Sequence, residues 1–215
     1  MDIPPYSSGF YYTPGRFNAS LTTSGHSLPC LQQPGKFYNI CFRLADSQPQ
    51  HVLETMQLEL QAWQDTHRNE KYPALAKQRV RFASFEKCLH QNYGNCILAN
   101  RNIQQIVSEI ILRHNEKECQ VGAFVIMSNH IHLLIKMLGY AVMKDLLQCI
   151  KRETTIAIRH LLDLNCGEIW MRGSFSRIVR SPRELEKTLQ YIKNNPKGNL
   201  DFMVYERPDV MKFKR

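Results

Sequence analysis

The chain contains no Cys-x-x-Cys pair, and its seven cysteines are scattered and odd in number. That excludes a paired zinc ribbon and a closed disulfide framework, and it reads as a set of reduced thiols. No stretch approaches the roughly 18 apolar residues of a membrane span. The start, Met1-Asp2-Ile3-Pro4-Pro5, lacks the basic residues and apolar run of a secretory leader, so the expected location is the cytoplasm, with no membrane partner. No internal repeat is visible, and acidic residues are in short supply. Lys and Arg number 28 against 19 Asp and Glu, a formal charge of +9. Such a balance favours polyanions, nucleic acid ahead of an acidic membrane surface. From Trp170 to Arg215 there are 11 Lys and Arg against 5 Asp and Glu, so +6 of the excess falls in the last quarter of the chain. A solvated helix face gives the same count, so charge alone does not identify a binding surface.

What the chain does have is enough apolar material, 43% of 215 residues, to bury a core in one main domain. Residues 1–35 are rich in Ser, Thr, Gly and Pro without a hydrophobic period and read as a loose N-terminal arm. Phe37, Tyr38, Ile40 and Phe42 mark a first strand over 36–44. Val52, Met56, Leu60 and Trp63 recur at helical spacing and predict a buried stripe. Residues 66–92 are polar and show no clear pattern, and 95–98 read as a short strand. Ile103, Ile106, Val107, Ile110 and Ile111 share a helical face. Two apolar segments, 121–127 and 131–135, flank Ser128-Asn129 and predict a hairpin. A helix over 143–162 turns Leu146, Leu147, Ile150, Ile158 and Leu161 inward, and 175–180 can form a strand. Ser181-Pro182 with Glu184 in capping-box register starts a last helix, which Pro196 ends near Asn194 or Asn195. The order suggests an α+β fold, a split β-α-β antiparallel sheet with helices on one face.

In His130-Ile131-His132, period-two alternation turns both imidazoles to one face of a strand. They can present two nitrogens to one metal ion, or they can be two histidines on the wet face of a sheet. Tyr191 sits roughly 100° from Ile192 and roughly 200° from Leu189 around the last helix, off its core stripe. A tyrosine there is either an amphipathic packing residue or an available phenol. Asn195, four residues on, shares its face and offers an amide oxygen as a third ligand, or simply closes the helix before Pro196.

These motifs carry a resemblance. Met127-Ser128-Asn129-His130-Ile131-His132-Leu133-Leu134-Ile135 resembles the HUH motif of REP-associated tyrosine transposases, relatives of the single-tyrosine insertion-sequence transposases. The segment Phe37–Asp46 is similar to that family's first strand. Trp170–Arg180 is similar to the stretch before its tyrosine helix, and Tyr191-Ile192-Lys193-Asn194-Asn195-Pro196 to that helix's end. The chain departs from the pattern at Ser128, where the family often has proline, and at Lys197-Gly198-Asn199-Leu200. From Asp201 it lacks the tryptophan- and serine-rich ending common in relatives. The resemblance implies a ferredoxin-like, RRM-like sheet with the HUH motif on a central strand and the catalytic tyrosine on a C-terminal helix. It implies a transposase domain over 36–200, and residues 201–215 are left as a basic C-terminal tail. It further implies Tyr191 as nucleophile and His130, His132 and Asn195 as ligands of a divalent metal, Mg²⁺ or Mn²⁺.

Two imidazole nitrogens beside one amide oxygen suit such hard cations poorly to moderately, so water and phosphate oxygens must complete the shell. The expected reaction is attack of the phenol on a DNA phosphodiester, releasing a 3′-hydroxyl and leaving a 5′-phosphotyrosine that a second strand end can resolve. The expected partner is single-stranded or hairpin DNA with palindromic repeats, held by a monomer. Arg172, Arg177, Arg180 and Lys187 are candidates for phosphate contacts, Lys151 and Arg152 weaker ones. Trp170 or Phe175 could stack on a base, or belong to the core. Two rivals stand beside this reading. One is a catalytically inactive protein that binds structured DNA or RNA. The other is a metal-dependent phosphodiesterase that uses water as nucleophile.

Overall fold

The computed structural model describes residues 32–33, 35–67, 73–195 and 202–208. The arm over 1–31, the segment Lys197-Gly198-Asn199-Leu200 and the tail beyond 208 lie outside the described residues. The elements run β1 (Phe37–Arg43), α1 (Gln50–Thr66), α2 (Pro73–Leu89), α3 (Arg101–Arg113), β2 (Cys119–Ile126), β3 (His130–Met137), α4 (Met143–Leu162), β4 (Phe175–Ile178), α5 (Pro182–Asn194) and β5 (Met203–Glu206). The five strands form one sheet in the order β4-β1-β3-β2-β5, and every pairing is antiparallel. The first four strands give the ferredoxin-like order. The fifth adds an edge where the sequence pattern suggested only a tail.

Alternation on the strands sorts the sheet into two faces. Tyr38, Ile40, Phe42, Ile131, Leu133 and Ile135 meet the apolar sides of α3 and α4 in one core that includes Ile103, Val107, Leu146 and Ile150. Ala123, Val125 and Leu134 turn the other way, against Leu185, Leu189 and Ile192 of α5. Helices therefore cover both faces, α3 and α4 one and the tyrosine-bearing helix the other, where the sequence pattern suggested helices on one face only. Burial of those three α5 side chains, at about 1.5–3 kcal/mol each, fixes its seat. An extra residue at Gly122 shifts the β2–β3 register between Val121 and Ala123, which sets Val125 opposite His132.

Three expectations are corrected. The α1 stripe of Val52, Met56, Leu60 and Trp63 is only half-buried, because α1 packs chiefly against α2. Leu161, at the last turn of α4, is 40% exposed. The strand expected over 95–98 is a single 3-10 turn, Ile97–Ala99, because Cys96 takes a left-handed conformation (φ 50°) that breaks an extended run.

The loop between α2 and that turn is tightly built. Gly94 has φ +89°, and a Cβ there would lie 2.7 Å from the Asp46 carbonyl oxygen. Asn95 N donates to Asp46 Oδ2 at 2.8 Å. Gly94→Ala should therefore lose about 1–3 kcal/mol of stability, from a strained backbone and a displaced contact. Urea unfolding checks this, and an unchanged midpoint would contradict the geometry.

Candidate active site

β3 begins at His130, and the pleat turns His130 and His132 to the α5 face. Both are fully buried, and their rings stand edge to face with centroids 4.9 Å apart. Across the sheet, His130 lies opposite Arg43 and His132 opposite Cys41. The His130 ring is oriented from below: its Nδ1 contacts Asn129 Oδ1 at 2.7 Å. Asn129 Nδ2 in turn donates to the carbonyls of Leu89 and Tyr93, both at 3.2 Å. Because Asn129 Oδ1 can only accept, the His130 proton sits on Nδ1. Nε2 is left with a lone pair and no hydrogen-bond partner among the described residues. Burial holds the His130 imidazole neutral, well below the usual histidine range, and pushes His132 down to about 3. Neutral, desolvated imidazoles with an unsatisfied nitrogen are ready to ligate a cation.

α5 brings the phenol to them. Its cap is the one read from the sequence: Glu184 N donates to Ser181 Oγ at 3.1 Å, and Arg180 N donates to Glu184 Oε2 at 2.7 Å. Tyr191 Oη lies 3.4 Å from His132 Nε2, with the rings edge to face at 5.0 Å. Its hydroxyl donates to Glu86 Oε2 on α2. Burial first, and then the Glu86 charge, raise the Tyr191 pKa above its ordinary value, while Asn195 beside it acts in the opposite sense. Asn195 keeps helical backbone angles at the end of α5 and is 6% exposed, its Nδ2 without a partner among the described residues. The residues fit a cation: the ligand atoms of Cys41, Glu86 and His132 lie within 4.8 Å of one another, and on the same face His130 Nε2 and Glu86 Oε1 have no hydrogen-bond partner among the described residues.

Glu86 is the residue that the sequence pattern did not single out. It is 9% exposed, and desolvation raises its carboxyl to about 7. Its Oε2 lies 3.4 Å from His132 Nε2, a contact that is not an ion pair while His132 is neutral. Phe82, one turn earlier on α2, stacks on Phe175 of β4 with centroids 4.2 Å apart, which seats α2 on this face. Cys41 also faces the cluster, and burial together with Glu86 keeps its thiol protonated.

The basic candidates divide. Arg177 belongs to the site's face, since it pairs in register with Asn39 as Phe175 does with Cys41, but it is engaged by Glu184. Arg172 is 90% exposed and 3.5 Å from Glu168, while Arg180 and Lys187 are exposed. Lys151 and Arg152 lie on α4, behind the sheet. Lys151 Nζ donates to the carbonyls of Met171 and Gly173, so it braces that loop. Trp170 is corrected as a base-stacking candidate: it is 7% exposed, donates from Nε1 to Thr154 Oγ1 at 2.8 Å and packs edge-on to Phe42. The Phe175 ring is likewise taken up by Phe82.

A family model described as IS200-like transposase matches residues 89–195, which include both histidines, Tyr191 and Asn195 but stop short of Glu86. A structure of a REP-associated tyrosine transposase bound to a REP hairpin is similar at 13% identity, over 79% of this chain and 72% of that one, with a TM-score of 0.45. No curated protein matches the sequence.

Proposed function

Because this chain belongs to the IS200-like transposase family through residues 89–195, we propose that it nicks and rejoins single-stranded DNA beside a hairpin, through a covalent bond to Tyr191. The observation that carries the reading is the approach of Tyr191 Oη to within 3.4 Å of His132 Nε2, on the face that also holds the unpartnered Nε2 of His130. His130, His132 and Asn195 would hold a divalent cation, Mg²⁺ or Mn²⁺. When bound, that cation neutralises charge on the scissile phosphate, worth several kcal/mol.

The remaining steps belong to the chain. Tyr191 Oη attacks phosphorus in line, the P–O3′ bond breaks, and the strand leaves as a 3′-hydroxyl. The phosphodiester energy stays in the 5′-phosphotyrosine, so attack by a second 3′-hydroxyl reseals DNA without ATP. The phenolic proton has an acceptor in place, Glu86 Oε2, to which the hydroxyl already donates. Arg172, Arg180 and Lys187, all exposed, suit the phosphates of the substrate. Arg177 joins them once it leaves Glu184. We place the working unit at residues 36–200 of a cytoplasmic monomer. Its own Tyr191 completes its own cation site.

End-labelled hairpin DNA with unpaired flanks, incubated with Mn²⁺, separates the readings. A denaturation-resistant protein–DNA adduct is the expected product. Cleavage without an adduct would instead mean hydrolysis by water, and binding with neither would mean an inactive binding protein. A further expectation concerns orientation. Asn129→Ala frees the His130 ring from its anchor, and the affinity for Mn²⁺ should fall about 10–100-fold while the fold is kept. Titration of free Mn²⁺ by electron paramagnetic resonance reads that loss.

A further inference from the structure

We propose that Glu86 is a ligand of the divalent cation, supplying the anionic oxygen that the histidine pair and Asn195 lack. The proposal rests on the cation site described above and extends it to α2, outside the segment that matches the family.

The argument begins with charge. Two neutral imidazoles and an amide carry no negative charge, and hard cations such as Mg²⁺ and Mn²⁺ favour carboxylate oxygen over imidazole nitrogen. A buried dication surrounded only by neutral groups would be poorly compensated. Among the described residues, the group of potential ligands that includes a HUH histidine consists of Cys41, Glu86 and His132, whose ligand atoms lie within 4.8 Å of one another. Thiol sulfur is a soft donor and imidazole nitrogen a borderline one, so only Glu86 in this group offers the hard oxygen that such cations favour. Glu86 therefore contributes the charge.

Its geometry suits the role. The 3.4 Å between Glu86 Oε2 and His132 Nε2 is close to the separation of about 3 Å between neighbouring ligands around an ion with bonds of about 2.1 Å. Glu86 Oε1 is buried and has no hydrogen-bond partner, and the same is true of His130 Nε2. A carboxylate that is nine-tenths buried with an idle oxygen is costly unless something positive completes it. Glu86 is positioned on α2 by Phe82 against Phe175 and by the packing of Cys88 and Leu89 at the end of the helix. Because Glu86 also accepts from the Tyr191 hydroxyl, cation binding and aim of the nucleophile pass through one side chain.

The test is Mn²⁺ affinity by electron paramagnetic resonance titration of the whole chain, without DNA. Glu86→Gln preserves shape and an acceptor for Tyr191 but removes the charge, and Glu86→Asp keeps the charge one methylene back. The double variant His130→Ala/His132→Ala sets the background, including any Mn²⁺ taken by the separate group His114, Cys149 and Glu153. We expect Glu86→Gln to bind at least about tenfold more weakly than the parent, with Glu86→Asp between them. If Glu86→Gln binds as the parent does while the double variant does not, Glu86 is no ligand, though the histidine site stands. If all the variants bind alike, both the ligand assignment and the site it rests on are wrong. A circular dichroism melt of Glu86→Gln matching the parent ties the loss to charge and not to folding.

Discussion

Replacing Tyr191 by Phe is expected to abolish the covalent adduct and to lower strand cleavage by at least about 10³-fold, since the variant keeps the ring and loses the only atom that forms the bond. The structure makes this a clean substitution. The Tyr191 ring remains against His132 at 5.0 Å, and the chief loss besides the nucleophile is one hydrogen bond to Glu86. Glu86 is raised to about 7, so near neutral pH a substantial share of it can accept a proton and stay neutral when the phenol is gone. The fold should therefore tolerate the change. The measurement is a denaturing gel of labelled hairpin DNA with Mn²⁺. Persistence of an adduct in Tyr191→Phe would show that another residue is the nucleophile and overturn the mechanism.

The second large effect is expected at His132. His132→Ala should reduce adduct formation by at least about 10²-fold at limiting Mn²⁺, because the charge neutralisation lost with the cation amounts to several kcal/mol. Its structural cost is moderated by the site itself. The His132 Nδ1 has no partner among the described residues, so removing the ring also removes an unsatisfied buried nitrogen that was a burden to the folded state. The variant should melt within a few degrees of the parent while its Mn²⁺ titration approaches background. Adduct formation at the parent's rate in His132→Ala would detach the nucleophile from the histidine pair.

The hairpin and α5 were legible because the chemistry that builds them is local. Alternation over His130–Ile135 assigns both faces of β3, and the Ser181–Glu184 cap marks where α5 begins. From those two elements the meeting of His130, His132 and Tyr191 could be anticipated. Glu86 could not, because its importance is created by a tertiary approach: α2 lies in a polar stretch without a clear apolar stripe, and its inward residues Phe82, Glu86 and Leu89 meet a sheet over forty residues away in sequence. Three-residue spacings from Phe82 through Phe85 to Cys88 were the available signal, diluted by Arg81, Glu86 and Lys87. Asn129 was read for its liking of turns, and its use as the anchor of the His130 ring depends on carbonyls at the end of α2. Trp170 and Lys151 were read by residue type, as a stacking ring and a free cation, whereas the packing of α4 against the following loop uses both. β5 escaped notice because four residues carry little periodicity, and its place depends on an open edge of β2.

That edge strand carries a consequence for how the molecule must be handled. Met203–Glu206 zip onto Ala123–Ile126, Tyr205 lies over Phe124, and Lys193 of α5 reaches Glu206 at 2.6 Å. A version trimmed just after Asn195 would retain each residue implicated in chemistry yet leave the amides and carbonyls of β2 bare, inviting one molecule to dock its margin on the next. Loss of activity in such a trimmed protein would then report clumping, and would say nothing about the phenol or the imidazoles.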